Sequence, residues 1–366
     1  MTTMKMLAAS ASLLAMTVSM ASAQSMDELV AAAKAEGSLT TIALPHDWCG
    51  YGAVIEGFTK KYPEIAINEL NPDGSSADEL EAVRANKGNT GPQAPDVLDV
   101  GLSFGPTAKE EGLIQPYKVS TWDSIPDSAK DADGAWYGDY YGVMSFIVNT
   151  DLVQNVPTDW ADLMKPEYAN AFALSGDPRS GNQGLMSVMS AGMAMGGKPG
   201  AESAAKGLEF FAGLNKAGNF VPVGGKTGTI AQGATPIVAA WDYNALAWRD
   251  TLAGNPKAEV VIPASGTLAG VYVQAISAYA PHPNAAKLWM EYLYSDEGQL
   301  AWLNGYCHPI RFNDLVARNV VPAEMMAKLP PADAYAKAVF PTLEEQGAHK
   351  EAVTAGWETV VGVKVE

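Results

Sequence analysis

A carboxylate stands between two aromatic residues in the stretch IVAAWDYNALAW, residues 237–248. Asp242 ends an apolar run and is flanked by Trp241 and Tyr243. A carboxylate can pair with a ligand ammonium, and an aromatic face beside a desolvated ammonium adds about 2 kcal/mol. The alternative is that Asp242 only caps a helix formed by DYNALAW. On the first interpretation these three residues hold an amine, and Asp242→Asn should lose affinity while the fold survives.

The early loop PHDWCGYG, residues 45–52, has a similar make-up. It places Asp47 directly before Trp48, so a second acid lies beside a second aromatic ring. If this loop faces the stretch 237–248 across a cleft, one ammonium would meet carboxylates and rings from both sides. The alternative for Trp48 is packing in the core. We predict that both residues bind the ligand.

A third segment, DPRSGNQG at residues 177–184, could bind an anion. Ser180 and Asn182 precede a helical run, and backbone N–H groups at a helix N-terminus attract negative charge. Arg179 could add a bidentate guanidinium for a carboxylate, phosphate or phosphonate. Alone, the segment fits an ordinary capped turn with a surface arginine equally well. An anion site and a cation site in one cleft would suit a zwitterion.

Other motifs are poorer matches to known sites. The segment GGKTGT, residues 224–229, lacks the first glycine of a phosphate-binding loop, because Phe220 stands there. His46, Cys49, Cys307 and His308 do not have the spacing of a zinc finger. No G-x-S-x-G nucleophile motif is present in the sequence. We therefore expect no enzyme activity, no metal and no cofactor.

The order of elements indicates an α/β protein. Helical patterns such as DELVAAAKAEG, which stops at Gly37, alternate with strand patterns such as SLTTIAL and PDVLDVG. This alternation predicts a parallel sheet with helical crossovers. Ligands in open α/β sheets lie beyond the carboxyl ends of strands. That rule adds Tyr141 and Tyr272 to the candidate ligand-binding residues.

The N-terminus and the composition limit the location and the partners. Residues 1–23 have one lysine, an apolar stretch and a small-residue cleavage site, which together predict a cleavable signal peptide. The formal net charge of −17 makes nucleic acid and anionic membranes poor partners. Cys49 and Cys307 are the two cysteines, and an exported protein can join such a pair in a disulfide. Two buried free thiols are the alternative.

The chain resembles the periplasmic solute-binding proteins of ATP-binding-cassette (ABC) importers, in the branch that includes ferric-ion, polyamine and phosphonate binders. Segments spread along the chain carry this resemblance: AAAKAEGSLTTI, PDVLDVG, DGAWYGDYYGVMSFIVNTDLV, DPRSGNQG and APHPNAAKLWMEYLYSDEGQ. The last is the most specific, and no single motif is diagnostic.

The resemblance implies a two-lobed periplasmic binding protein fold of type II, with two crossing strands as the hinge. The first lobe would contain residues 24–145 and 280–366, and the second residues 146–279. Both cysteines would then fall in the first lobe, so their pairing is topologically possible. The resemblance also implies closure of the lobes on a ligand and docking to an inner-membrane ABC permease.

Taken together, these patterns predict a periplasmic monomer that binds a small amine-bearing or zwitterionic solute and delivers it to the permease. Polyamines, ω-amino acids and aminoalkylphosphonates are the ligand types. The alternative is a ferric-ion-binding protein, because the phenolates of Tyr140 and Tyr141 would be hard oxygen ligands for Fe(III). An exported hydrolase is the least favoured function.

Overall fold

The computed structural model describes residues 24–329 and 337–366. The predicted signal peptide, residues 1–23, lies outside these ranges. The strands are β1 Ser38–Ile42, β2 Ala66–Leu70, β3 Val97–Gly101, β4 Ile114–Gln115, β5 Tyr137–Asn149, β6 Phe172–Leu174, β7 Ile237–Trp241, β8 Ala258–Val261, β9 Ala269–Ser277 and β10 His308–Pro309. The helices are α1 Met26–Glu36, α2 Tyr51–Lys61, α3 Ser76–Ala85, α4 Phe104–Glu110, α5 Asn182–Ala194, α6 Ala201–Ala217, α7 Thr227–Ala231, α8 Asp242–Leu252, α9 Pro283–Leu293, α10 Asp296–Asn304, α11 Phe312–Ala317, α12 Ala323–Met326 and α13 Leu343–Val360.

Helix boundaries follow the capping signals in the sequence. Ser25 caps α1 and forms a reciprocal capping box with Glu28, and Gly37 ends the helix with φ near 70°. Helix α9 ends at Leu293, and Ser295 then caps α10. The predicted stop at Gly37 is therefore confirmed.

The sheets are mixed, whereas the alternation of elements predicted a parallel sheet. Strands β1 and β2 are parallel, and so are β6 and β7. The pairs β3–β9, β5–β9 and β5–β7 are antiparallel. The difference arises because β5 and β9 are long buried strands that join the sheets from the opposite direction. Helix–strand alternation along the chain does not report that direction.

Strand β5 connects the two halves of the molecule. Its first part, up to Val143, pairs with β9, and its second part, from Met144 onward, pairs with β7 and β8. All thirteen residues except Tyr141 are buried. The structure thus has the two-lobed α/β fold that the sequence predicted, with β5 as a strand that crosses between the lobes.

The exact lobe boundaries stay a prediction, and two packing contacts bear on them. All five residues of β3 pair with β9, at residues 272–276. Helix α13 packs on α6, where the Trp357 ring lies 5.5 Å from Phe211 and 6.2 Å from Phe220. We propose that the second lobe ends before β9. We also propose that the C-terminal segment from Leu343 packs against the second lobe.

A disulfide joins Cys49 to Cys307, as predicted. Cys49 lies just before α2 and Cys307 just before β10, and both are fully buried. The bond links segments 258 residues apart in the sequence. It therefore fastens the loop that carries Trp48 to the late part of the chain.

A buried histidine connects α13 to α5 and α6. His349 contacts the Leu185 carbonyl at 3.2 Å and the Ser203 hydroxyl at 3.2 Å. Burial lowers the pKa of His349 from 6.5 to about 4. Its contribution to stability is therefore present above pH 6.5 and is lost as the pH falls from 6.5 toward 4, because the unfolded chain takes up the proton first.

We expect the free energy of unfolding to fall by up to about 2 kcal/mol from this group between pH 7 and pH 5. His349→Gln should remove that part of the pH dependence. Urea unfolding of both proteins at the two pH values measures the difference. Equal pH dependence in the two proteins would show that folding does not lower the pKa of His349.

None of the helices in residues 24–329 and 337–366 has the length and hydrophobicity needed to cross a membrane.

Candidate functional site

A cavity of about 510 Å³ lies between loops of the two lobes. The first turn of α3 and the loop before α5 meet beside it, since the Ala77 N–H donates to the Ser180 carbonyl at 3.3 Å. The residues that line the cavity and enter the argument below are Asp47, Trp48, Asp73, Glu79, Asp99, Asp177, Ser180, Asn182, Gln183, Lys226, Asn244, Tyr272 and Glu366. The size suits a small organic molecule.

Two acids in this wall, Glu79 on α3 and Asp99 on β3, are almost completely buried. The Asp99 backbone N–H donates to Glu79 Oε2 at 2.8 Å. Asp99 Oδ2 accepts from the Tyr51 hydroxyl at 2.8 Å and from the Tyr140 hydroxyl at 2.6 Å. These contacts fix the Asp99 carboxyl group in the middle of the buried strand β3 and hold Glu79 of α3 beside it in the cavity wall.

A third acid lies behind them and makes their ionisation interdependent. Asp139 on β5 accepts from Gln274 Nε2 at 2.9 Å, and Gln274 also donates to Tyr51 at 2.8 Å. Burial raises the pKa of Asp99 to about 7, although the tyrosine hydrogen bonds lower it. Burial and then the charge of Asp99 raise the pKa of Glu79 and of Asp139 well above the usual range. The cluster therefore carries little negative charge until a cation arrives.

Aromatic rings stand beside the acids. The Trp48 ring lies 5.4 Å from the Tyr272 ring in an edge-to-face arrangement, and Trp48 Nε1 donates to the Tyr140 hydroxyl at 2.7 Å. Tyr272 in turn stacks on Tyr140, with 5.5 Å between ring centroids. Trp48 and Tyr272 both line the cavity, as predicted for ligand-binding residues. Acids thus lie beside aromatic rings, as the sequence suggested, but Glu79 and Asp99 take the place of Asp242.

Asp242, Trp241 and Tyr243 are fully buried and lie outside the cavity wall. Asp242 is the first residue of α8, and its Oδ1 accepts from the Val143 backbone N–H at 2.8 Å. That contact ties α8 to the crossing strand β5. This arrangement gives no support to ligand contact by these three residues. The Asp242 carboxylate accepts a hydrogen bond from the main chain of β5 instead.

A pair of glycines accommodates the two rings. Gly142 and Gly270 face each other across β5 and β9. A Cβ atom on Gly270 would lie 2.1 Å from Trp241 Cη2, and one on Gly142 would lie 2.4 Å from Tyr243 Cε1. The rings therefore pack directly on the backbones of both strands at the point where β5 passes between the lobes.

We expect Gly270→Ala to destabilise the fold by about 1–3 kcal/mol, because the new methyl group overlaps the Trp241 ring. Gly347→Ala is the matched control, since Gly347 lies within α13 with nothing within 4 Å of a Cβ atom. Replacing this helical glycine should leave stability unchanged or raise it by up to about 1 kcal/mol. Urea unfolding measures both, and equal effects would contradict this packing.

The structure separates the residues of the predicted anion site, because only two of the three line the cavity. Ser180 and Asn182 line the cavity, but the Ser180 and Gly181 backbone N–H groups donate to the Asp177 carbonyl. Arg179 lies outside the wall and pairs with Asp177, its Nε lying 3.0 Å from Oδ1. The guanidinium and the turn are thus both occupied by Asp177. Arg179 Nη1 also lies 3.5 Å from Glu358, so the guanidinium predicted to clamp an anionic ligand group is paired with acids of the protein instead.

Two further predicted residues have separate positions. Asp47 is exposed at the cavity edge. Tyr141 lies outside the wall and stacks on the His308 ring, 4.9 Å away. Sequence reasoning missed Glu79, Asp99 and Asn244. An acid inside the apolar run PDVLDVG was the available signal for Asp99, and Asn244 stands two residues after Asp242.

The two tyrosines proposed as iron ligands contact different surroundings. Tyr140 is buried, and burial and the charge of Asp99 raise the pKa of its hydroxyl well above the usual value. Tyr141 packs on His308 and Phe340 instead. Within the described residues, no three or more His, Cys, Asp or Glu side chains are grouped to hold a metal ion. The arrangement favours neutral hydroxyls over iron-binding phenolates.

The model of the bacterial extracellular solute-binding proteins matches residues 93–337, more than half of the chain. The chain belongs to this family. A protein of this family binds a small-molecule solute for an ABC importer and delivers it to the permease. The cavity between the lobes is the place where such a solute can be enclosed.

Relatives of this solute-binding protein include two curated sequences. A Haemophilus influenzae protein of uncharacterised function is 30% identical over 269 residues, 68% of this chain and 71% of the relative. A Salmonella typhimurium protein is 26% identical over 221 residues, 59% of this chain and 62% of the relative. The second is described provisionally as a 2-aminoethylphosphonate-binding periplasmic protein.

Solved structures share the fold at low sequence identity. A periplasmic binding protein from Actinobacillus pleuropneumoniae, with fructose-6-phosphate bound, has a TM-score of 0.68 and 19% identity. It matches 89% of this chain and 99% of its own. A binding protein from A. tumefaciens R10 in complex with agropinic acid has a TM-score of 0.69 and 17% identity, with the same coverage. These likenesses support the two-lobed fold and leave the solute open.

Proposed function

We propose that this solute-binding protein encloses a small amine-bearing solute between its lobes, in the periplasm and as a monomer without enzyme activity. The observation that carries the proposal is the pair of buried carboxyl groups, Glu79 and Asp99, in one cavity wall with the rings of Trp48 and Tyr272. A ligand ammonium would meet a carboxylate and an aromatic face together.

The charges around the cavity support a cation. Besides Glu79 and Asp99, the wall includes the acids Asp47, Asp73, Asp177 and Glu366. Lys226 is the one basic residue that the described chain contributes to the wall. Such a wall raises the local concentration of a cationic solute, and low-dielectric surroundings strengthen the attraction.

Among amines, the arrangement leaves two ligand types to compare. A polyamine would use several of the acids. A zwitterion, such as an ω-amino acid or an aminoalkylphosphonate, would place its anionic end near Lys226, since Arg179 is engaged by Asp177. The Salmonella relative's description names an aminoalkylphosphonate, and a Listeria monocytogenes protein with this fold is described provisionally as a spermidine/putrescine ABC transporter.

The ferric alternative has less support. It requires two phenolates at one ion, whereas the Tyr140 hydroxyl is occupied by Asp99 and Trp48. Tyr141 packs on His308 outside the cavity wall. An iron-bound Pseudomonas protein shares the fold with a TM-score of 0.63 and 18% identity, a likeness that concerns the fold alone.

A thermal-shift panel on refolded protein, from which carried solute has been removed, tests the proposal. The compounds are putrescine, spermidine, 4-aminobutyrate, 2-aminoethylphosphonate, phosphate, fructose 6-phosphate and ferric citrate. A solute at one hundred times its Kd adds about 2.7 kcal/mol to stability. We expect a shift with one or more amines. A shift only with ferric citrate or with the phosphates would overturn the proposal.

A further inference from the structure

One hydrogen-bond chain on the second lobe fixes the orientation of an amide in the cavity wall. The Trp241 backbone N–H donates to the side-chain oxygen of Gln183 at 2.7 Å. A backbone N–H can only donate, so the accepting atom of Gln183 is its Oε1.

The same oxygen then orients Asn244. Gln183 Oε1 also accepts from the Asn244 side chain at 3.0 Å, and the atom that donates must be the amide nitrogen Nδ2. The other end of the Asn244 amide is therefore its Oδ1. Gln183 and Asn244 both line the cavity and are almost completely buried.

Asn244 Oδ1 is left as an acceptor without a partner in the described part of the chain. Asn182 Oδ1, on the first residue of α5, is buried and unpartnered in the same way and also belongs to the cavity wall. A buried acceptor left unmatched costs about 1–3 kcal/mol, so a ligand that supplies a donor is favoured there. Both oxygens can accept a hydrogen bond from an N–H or O–H group of the ligand. A ligand group without such a donor leaves them unpaired, so its binding is disfavoured.

We infer that Asn244, held in orientation by Gln183, is a specificity-determining residue that selects a primary ammonium, with its three N–H donors, over an N-methylated one. This inference rests on the proposed function and adds the class of amine. Trp48 and Tyr272 attract any cation, methylated or not, through their ring faces. The carboxylates and rings set affinity for positive charge, and the amide oxygens distinguish how many hydrogens the nitrogen carries.

Calorimetric titration with three matched pairs tests the inference. The pairs are putrescine, 4-aminobutyrate and 2-aminoethylphosphonate, each with its N-trimethyl derivative. For the pair that binds, we expect the parent protein to prefer the primary amine at least tenfold. Asn244→Leu, which keeps the branching of the side chain at Cγ and removes the acceptor, should reduce that preference to about threefold or less.

Two further readouts separate specificity from damage to the fold. Asn244→Leu should bind the trimethyl compound as tightly as the parent does, which an unfolded or distorted cavity would not. Gln183→Met, which removes the group that orients Asn244, should lower the preference while leaving Asn244 in place.

The outcomes distinguish the two proposals. If primary amines bind but the parent accepts the trimethyl compounds equally well, or if Asn244→Leu keeps the full preference, the inference is overturned and the proposed function stands. If no compound in the three pairs binds and spermidine does not bind either, the proposed function and the inference fall together.

Discussion

Asp99→Asn should weaken binding of the amine by about 100-fold or more. Removing one partner of a buried charge pair costs about 2–5 kcal/mol, and each 1.4 kcal/mol is a factor of ten in Kd. Asparagine keeps the shape of the side chain and can still accept from the Tyr51 or Tyr140 hydroxyl that Asp99 now binds. The fold should therefore survive, and calorimetric titration with the best-binding amine measures the loss.

Asp242→Asn is the matched control, because it makes the same chemical change in a buried aspartate outside the cavity wall. Its amide oxygen can still accept from the Val143 N–H, so we expect affinity within about threefold of the parent and a loss of stability of about 1 kcal/mol. The reverse pattern, with affinity lost in Asp242→Asn and kept in Asp99→Asn, would restore the interpretation drawn from the sequence alone.

Affinity for the amine should rise with pH and level off above about pH 7. Burial raises the pKa of Asp99 to about 7, and only the ionised carboxylate attracts an ammonium. An alkyl ammonium stays protonated across this range, so the carboxylate alone titrates. We expect binding roughly 50-fold weaker at pH 5 than at pH 7, from the fraction of Asp99 that is ionised. Titrations at pH 5, 6, 7 and 8 give the profile.

Asp99→Asn controls for other groups that titrate in this range. Its remaining weak binding should change little between pH 5 and pH 8. Glu79 and Asp139 should stay protonated until the ligand enters, because burial and then the charge of Asp99 hold their pKa high. A parent profile that is flat, or that rises toward acid pH, would exclude an ionised Asp99 as the ligand's partner.

Local signals in the sequence were sufficient to predict much of the fold. Ser25 and Gly37 mark the two ends of α1. A cap hydrogen bond and a left-handed glycine each fix a helix end within one helical turn, so both ends can be predicted from local sequence. The two-lobed arrangement followed from the resemblance to solute-binding proteins. Strand direction was predicted wrongly, since the antiparallel pairing of β5 with β9 joins residues far apart in sequence.

For the candidate site, the sequence suggested acids beside aromatic rings. In the structure Trp48 and Tyr272 lie in the cavity wall with Glu79 and Asp99, and binding by these residues stays a proposal. Asp242 and Asp99 both follow apolar residues, and local sequence cannot tell which one reaches a cavity. The structure shows why Asp242 lies outside the cavity wall. Gly142 and Gly270 leave room for the rings beside Asp242 to pack against β5 and β9.

The central claim is that the cavity recognises the ammonium group of its solute. Calorimetric titration of the parent protein with matched pairs, in which a hydroxyl replaces the amine, tests this most directly. The pairs are putrescine with 1,4-butanediol, 4-aminobutyrate with 4-hydroxybutyrate, and 2-aminoethylphosphonate with 2-hydroxyethylphosphonate. We predict that at least one amine binds and that its hydroxyl counterpart binds at least 100-fold more weakly. Equal binding of the two members of a pair would contradict the claim.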